Sequence, residues 1–311
     1  MRTVLCVLAC LLACAAWAQQ GSTEPPPEAD LGLPEPRWRP VFVGVEHAEL
    51  ATDRPRPLIV QVLRVDLHAP GLSLFATPGN GDAPQETDGR MASAFLREFD
   101  LQAAINTHFF GPCCASRPGE PKDLISLSVA QGELVSPHEP DRQQDAFLVH
   151  ARDGEEHASI FVAPDAAGAG PLAATGGEVA IGIGGRLVLW DGEPAGIATA
   201  NEAFSTDRHP RTAIGLTSEQ EIVLVAVDGR QPGFSLGASL RELAEIMRRL
   251  GCVTAINVDG GGSTTMVIQT EDEAPQLVNS PSGGTERVVG SHLGIRAARL
   301  GEQDDAGDSS R

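Results

Sequence analysis

The sequence predicts an α/β domain built on a mixed, largely antiparallel sheet with flanking helices. Three observations predict it. Short strand-like runs are punctuated throughout by turn residues, with 34 Gly and 23 Pro in 311 residues. A clear amphipathic helix opens at Ser239-Leu240-Arg241-Glu242, a capping box. Both helical windows run directly into buried strands that end in Ala-Ile-Asn, at Asn106 and Asn257.

The elements follow in order. Residues 41–45, 58–67 and 72–77 are strand-like, with Ala69-Pro70-Gly71 as a turn. Thr87 or Asp88 caps a short helix running through Phe99, before a strand at 101–106. Further strands are expected at 124–129 and 147–149, and a long glycine-rich loop at 166–177. Residues 179–190 alternate with glycines and read as two short strands. Residues 212–216 and 222–227 read as a hairpin. In the helix that follows, Leu240, Leu243, Ala244, Met247 and Leu250 recur on one face, and Gly251 ends it. The strand 253–258 runs into Asp259 and three glycines.

A constant offset of 151 residues sets Asp88 against Ser239, Arg97 against Arg248 and Asn106 against Asn257. This suggests an internal duplication of a hairpin–helix–strand unit. The identities are few, and coincidence is the competing explanation.

Hydrophobic residues make up 41% and charged residues 21%, so a sizeable core is expected and wholesale disorder is not. Tyr is absent and Phe numbers ten, which leaves Val, Leu, Ile and Ala to fill that core. Residues 1–18 read as a signal peptide: Arg2, an apolar run over 4–15, and the A-x-A site Ala16-Trp17-Ala18. Cleavage after Ala18 would leave an exported, periplasmic or secreted protein. The alternative is a lipoprotein anchored at Cys14. The apolar run is too short for a mature membrane span, which needs about 20 residues. Residues 19–37 read as a disordered Pro- and Glu-rich leader, 38–300 as the folded domain, and 301–311 as a disordered acidic tail. Export would leave Cys113, Cys114 and Cys252, and a bridge from Cys113 or Cys114 to Cys252 is expected.

The net charge of −19 argues against a nucleic-acid partner, which needs a basic face. It also requires any anionic substrate to meet a local cluster of arginines or a metal. Asn257-Val258-Asp259-Gly260-Gly261-Gly262-Ser263 supplies the strongest local signal. Three glycines let the backbone approach a ligand, their N–H groups can form an anion nest, and the strand fixes the carboxylate. The plain alternative is a tight Asp-Gly turn. Asp228 and Arg230 come at the end of a strand-like run, Arg211 opens one, and Glu286 and Arg287 follow a polar loop over 279–285. Each alone reads as a solvated surface group; together they suggest a shared cleft. His108, in Asn106-Thr107-His108, reads as an acid, a base, a ligand or a hydrogen-bonded loop histidine.

The residues Ala104-Ile105-Asn106 with Phe109-Phe110, His209-Pro210-Arg211-Thr212, Asp228-Gly229-Arg230-Gln231 and Asn257 to Ser263 resemble, in order, the phosphodiester glycosidase family. That family includes the lysosomal uncovering enzyme. Glu286-Arg287 is similar to the family's closing motif. Thr107-His108 departs from it, since the family carries glycine after the first asparagine, and this bears on substrate identity.

The resemblance implies hydrolysis of the bond between a sugar anomeric carbon and a phosphodiester oxygen. A phosphate leaves as a stable anion, so charge stabilisation matters more than acid assistance. Asp259 is the first candidate for base or nucleophile, followed by Glu286 and Asp228. Arg211, Arg230 and Arg287 are expected to clamp the phosphate, with Asn106, His108, Asn257, Gly260, Gly261, Gly262 and Ser263 as further substrate contacts. No cofactor is required; Asp228, Asp259 and Asn257 offer oxygen ligands should a divalent metal take part. Two other classes stay open: a non-catalytic sugar-phosphate or exopolysaccharide binder, and a metal-dependent phosphodiesterase. The sequence sets no oligomeric state.

Overall fold

The structure, a computed structural model, describes residues 30–114, 116–139, 145–152, 155–162, 172, 178–197 and 203–301. The expected signal peptide, most of the acidic tail and nearly all of the 166–177 loop lie outside these residues. The leader expected over 19–37 is described from Asp30 onward. There Leu31 and Leu33 are buried, and the Leu33 carbonyl accepts a hydrogen bond from Arg249. Among the described residues no helix is long and apolar enough to cross a membrane.

The helix-flanked α/β expectation is overturned. The chain is mostly antiparallel β-structure with little helix. The larger sheet runs, in spatial order, through Arg39–Phe42, Val45–Thr52, Leu58–Asp66, Glu221–Val227, Arg211–Thr217, Cys252–Asn257, Val179–Trp190, Asp145–Arg152 and Glu155–Phe161. A second sheet orders Pro275–Leu277, Met266–Gln269, Ala103–Asn106, His292–Arg296 and Ser73–Ala76. The inner faces of the two share one core, in which Leu63, Leu224 and Ile256 meet Ile105, Met266 and Leu293. Pattern reading undercounted strands because many are short and pair over long sequence separations, which leaves no local trace.

Two helices cover outer faces. Leu240–Arg249 has the predicted capping box: Ser239 accepts from the Glu242 N–H, and the Glu242 carboxylate accepts from the Ser239 N–H. Such caps contribute about 1 kcal/mol. The helix buries Leu240, Leu243, Ala244 and Met247, and Gly251 closes it at φ +85°. Gly215 lies beneath it, because a Cβ there would meet Met247 and Cys252. The other helix, Ala92–Glu98, packs Phe95 and Leu96 on Ala104 and Val267. Its N-cap is Met91, which offers no side-chain cap, and not Thr87 or Asp88.

The duplication at offset 151 is not of a hairpin. Leu58–Asp66 and Ser73–Ala76 lie in different sheets, whereas Arg211–Thr217 pairs directly with Glu221–Val227. What recurs is narrower. Ser73–Ala76 and Ala103–Asn106 flank one antiparallel strand and are joined by a helix; Glu221–Val227 and Cys252–Asn257 do the same. The intervening strand is the C-terminal His292–Arg296 in the first case and Arg211–Thr217 in the second. Residues 179–190 form one strand, not two. Its first half pairs with Asp145–Arg152 and its second with Cys252–Asn257. Gly185 permits the crossing, because a Cβ there would press on the Asn257 carbonyl and Ile256.

Candidate active site

The strand ends at Asn106, Arg211, Asp228 and Asp259 are stitched together by buried amides and hydroxyls. Asn106 donates to the Asp259 carbonyl (2.6 Å) and accepts from Thr212 Oγ1 (2.9 Å) and the Thr265 N–H (3.0 Å). Thr212 in turn reaches Thr264 Oγ1 (3.4 Å). Asn279 donates to the Thr264 carbonyl and to Asp228 Oδ1, both at 3.1 Å, and accepts from the Met266 N–H at 2.7 Å. Every polar atom of these two asparagine amides thus has a protein partner. Asn106 holds the backbone of Asp259 in place. Gln231 and Ser280 bond reciprocally and tie the 279–286 loop to the strand end at Asp228. Asn279, Ser280 and Gln231 were missed as site residues, because an asparagine or glutamine in a polar loop gives no sign of its partner.

Asp259 stands at the end of Cys252–Asn257, with its N–H on the Thr107 carbonyl (2.8 Å). Burial pushes its carboxyl up to about 6, against the opposing pull of Ser263, Arg287 and the Gly260 N–H. Arg287 Nη1 donates to Ser263 Oγ at 3.3 Å. Asp259, Ser263 and Arg287 therefore form one interacting set.

The glycines are required by their neighbours. Gly261 has φ +62°, and a Cβ there would meet the Arg230 guanidinium at 3.0 Å. A Cβ on Gly262 would collide with the Arg287 guanidinium, and one on Gly260 with the Pro210 carbonyl. Two arginines thus lie over the loop. Arg230 is exposed, holds φ +59°, and reaches His209 Nδ1 through Nη2 (3.2 Å). Burial and then Arg230 lower the His209 pKa. An open cleft of about 980 Å³ is lined by Arg230, Gly262, Glu286 and Arg287 together with Met91 and Cys114.

Other expected contacts are held by protein partners. Arg211 is 1% exposed, and its guanidinium donates to the carbonyls of Ala238, Phe204 and Asp207 and packs over the Phe204 ring. It is a carbonyl clamp that ties three segments together. Burial, then Arg230 and Arg186, lower its pKa to about 10. His108 is fully enclosed, with Nε2 on the Leu127 carbonyl (2.8 Å) and Nδ1 on Ser291 Oγ (3.1 Å). Burial lowers its pKa to about 4, which keeps the ring neutral. Asn257 is buried, donates to the Val258 carbonyl, and leaves Oδ1 unpartnered.

Asp228 is buried and accepts from Asn279 and the Ser280 N–H (2.8 Å). Burial raises its carboxyl to about 6, with Glu49 adding to the rise and Asn279 and Ser280 opposing it. Glu286 lines the cleft, and its Oε2 accepts from the Ser93 N–H (2.9 Å). It thereby caps the Ala92–Glu98 helix from a distance, which the Met91 N-cap cannot do. Of the three offered as metal ligands, Asp228 accepts from Asn279 and the Ser280 N–H and Asp259 interacts with Ser263 and the Gly260 N–H, whereas Asn257 Oδ1 has no protein partner. Among the described residues no group of three or more His, Cys, Asp or Glu is arranged to hold an ion.

The cysteine expectation is corrected. Cys113 and Cys114 are joined to each other by a disulfide, and Cys252 is a buried free thiol beneath the Leu240–Arg249 helix. Cysteine spacing alone gave no means of preferring the adjacent pairing.

Fold and site together define an antiparallel β domain with an arginine-flanked glycine loop beside the Asp259 carboxylate. A family model for phosphodiester glycosidases matches residues 99–296, and the chain belongs to that family. Among curated proteins, it is 43% identical over 58 residues to the mouse N-acetylglucosamine-1-phosphodiester alpha-N-acetylglucosaminidase, covering 19% of this chain and 11% of that protein. It is 31% identical over 111 residues to the SPbeta prophage-derived protein YomE of Bacillus subtilis, covering 36% and 16%. The match thus spans less than a fifth of either relative. Among solved structures, the catalytic domain of the zebrafish N-acetylglucosamine-1-phosphodiester alpha-N-acetylglucosaminidase superposes with TM-score 0.60 at 20% identity, over 83% of this chain and 84% of that one. A Burkholderia pseudomallei protein whose name marks it as exported gives 0.60 at 19%, over 77% and 74%. Both likenesses concern the fold.

Proposed function

We propose that this chain is an exported hydrolase that cleaves the glycosidic bond of a sugar-1-phosphodiester in an envelope or extracellular glycan. The observation that carries the reading is the grouping of Asp259, Ser263 and Arg287 beside a cleft flanked by a second arginine, Arg230. Family membership supports the reaction class. In this reading Arg230 and Arg287 offset the charge of the departing phosphate, which an overall charge of −19 would otherwise repel. Asp259, ionised above about pH 6, serves as base or nucleophile at the anomeric carbon. Ser263 and the Gly260 N–H orient it. Asp228 and Glu286 hold the loop that carries Arg287, the first through Asn279 and Ser280, the second through the helix cap. The reaction so described uses protein groups alone.

The test is turnover of a chromogenic sugar-1-phosphodiester by the purified protein. Release of chromophore-phosphate and free sugar is expected. Tight binding of the sugar phosphate with no turnover would overturn the reading in favour of a non-catalytic binding protein.

A further inference from the structure

The bond between Cys113 and Cys114 has no stabilising explanation of the usual kind. A disulfide stabilises chiefly by closing a loop in the unfolded chain, and the gain grows with loop length. A bond between adjacent residues closes almost no loop. Its value must lie in the local shape it imposes, and its position says what that shape faces. Cys114 lines the cleft. Cys113 Sγ lies 3.8 Å from Arg287 Nη1, the same nitrogen that donates to Ser263.

The segment that carries the bond is held from below. Lys122 is fully buried, an expensive place for an ammonium. Its Nζ donates to Ser116 Oγ (2.7 Å) and the Pro112 carbonyl (3.3 Å), and lies 6.0 Å from the Phe110 ring centroid. Those two anchors bracket the cysteines, one residue before and two after. Both cysteines are exposed, and Cys114 lines the cleft together with Gly262 and Glu286.

We propose that the Cys113–Cys114 disulfide is a specificity-determining wall of this cleft: a closed, apolar sulfur surface, fixed by Lys122, against which the non-phosphate part of the ligand packs while the arginines take the phosphate. The inference rests on the sugar-phosphate reading of the cleft. It deepens that reading by assigning the sugar side to a redox-sensitive surface. Reduction adds two electrons and two protons, opens the ring, and replaces the closed surface with two separate thiols. An oxidising compartment would keep it closed.

The experiment uses the full chain purified without reductant, and the same protein treated with tris(2-carboxyethyl)phosphine, which is oxidised to its oxide with oxygen from water. Iodoacetamide labelling and peptide mass spectrometry should find Cys113 and Cys114 unlabelled before reduction and both labelled after. Calorimetric titration should show the affinity for α-N-acetylglucosamine 1-phosphate falling tenfold or more on reduction. Affinity for inorganic phosphate should change by less than threefold. The variant Cys113→Ala/Cys114→Ala should match the reduced protein without any reductant. Should that variant fail to fold, reduction of the native protein decides alone. Labelling before reduction, undiminished sugar-phosphate affinity after it, equal losses for the two ligands, or no binding by the oxidised protein would each overturn the proposal. So would loss of the cooperative melt on reduction, because the bond would then be structural. A protein that binds as described yet turns over no sugar-1-phosphodiester would sink the reaction proposed above and leave this inference standing.

Discussion

The guanidinium of Arg287 occupies the space that a side chain on Gly262 would need. Glycine at this position is therefore fixed by an arginine 25 residues later in the chain, as much as by any turn. The same guanidinium meets Ser263, which is bonded to Asp259.

Gly262→Ala should accordingly displace Arg287 without unfolding the protein. Inserting a methyl group into a packed site costs about 1–3 kcal/mol. We expect kcat/KM to fall roughly tenfold or more, equivalent to about 1.4 kcal/mol. Arg287→Ala should also lower it, and the double variant should be little worse than either single one. Fully additive losses, measured as a double-mutant cycle on kcat/KM, would show that the two residues act separately.

Arg211 presents the opposite case. Its charge and the family resemblance made it read as a phosphate ligand, but its Nε and Nη2 donate to three backbone carbonyls. Arg211→Lys cannot reproduce that fork. It should lower the thermal midpoint by an amount corresponding to about 2–4 kcal/mol, a buried charged hydrogen-bond network being lost in part. The KM for a phosphodiester, measured well below that midpoint, should change little. A tenfold rise in KM with an unchanged midpoint would restore Arg211 to the substrate site.

What the sequence disclosed was local. The capping box of Ser239 and Glu242, the 211–227 hairpin and the strand into Asp259 rest on contacts within a few residues, and they stand where the pattern put them. The motif at 257–263 was conspicuous for the same reason: three consecutive glycines show in the sequence itself. The two-sheet core was not legible, since Ile105 meeting Met266 or Leu63 meeting Leu224 depends on pairing across the chain. Nor were the roles of individual polar residues. Nothing in Asn106-Thr107-His108 distinguishes a ligand from a bracket. Only the fold reveals that Asn106 donates to the Asp259 carbonyl, 153 residues away.

Two carboxyls, Asp259 and Asp228, are raised to about 6, and they should be separable. If Asp259 is the base or nucleophile, kcat/KM should rise with pH through about 6 as it ionises. Asp259→Asn should lower turnover by about 10²–10⁴. Asp228→Asn retains the oxygen that accepts from Asn279 and Ser280, so the pH limb should persist. For stability the sign runs the other way. The folded pKa of Asp228 lies above its ordinary 3.8, so its contribution is fully present below 3.8 and is lost as pH rises through about 6. Asp228→Asn should remove part of the decline in thermal midpoint across that window. A limb that vanishes in Asp228→Asn but survives in Asp259→Asn would exchange their roles.

The site of bond cleavage tests the glycosidase reading most directly. Hydrolysis of a sugar-1-phosphodiester in ¹⁸O-labelled water leaves the label wherever water attacks. Attack at the anomeric carbon, assisted by Asp259, predicts ¹⁸O in the released sugar, read by mass spectrometry at early times before anomeric exchange, and none in the phosphate product. Label in the phosphate product with an unlabelled sugar would mean P–O cleavage, and would contradict the account.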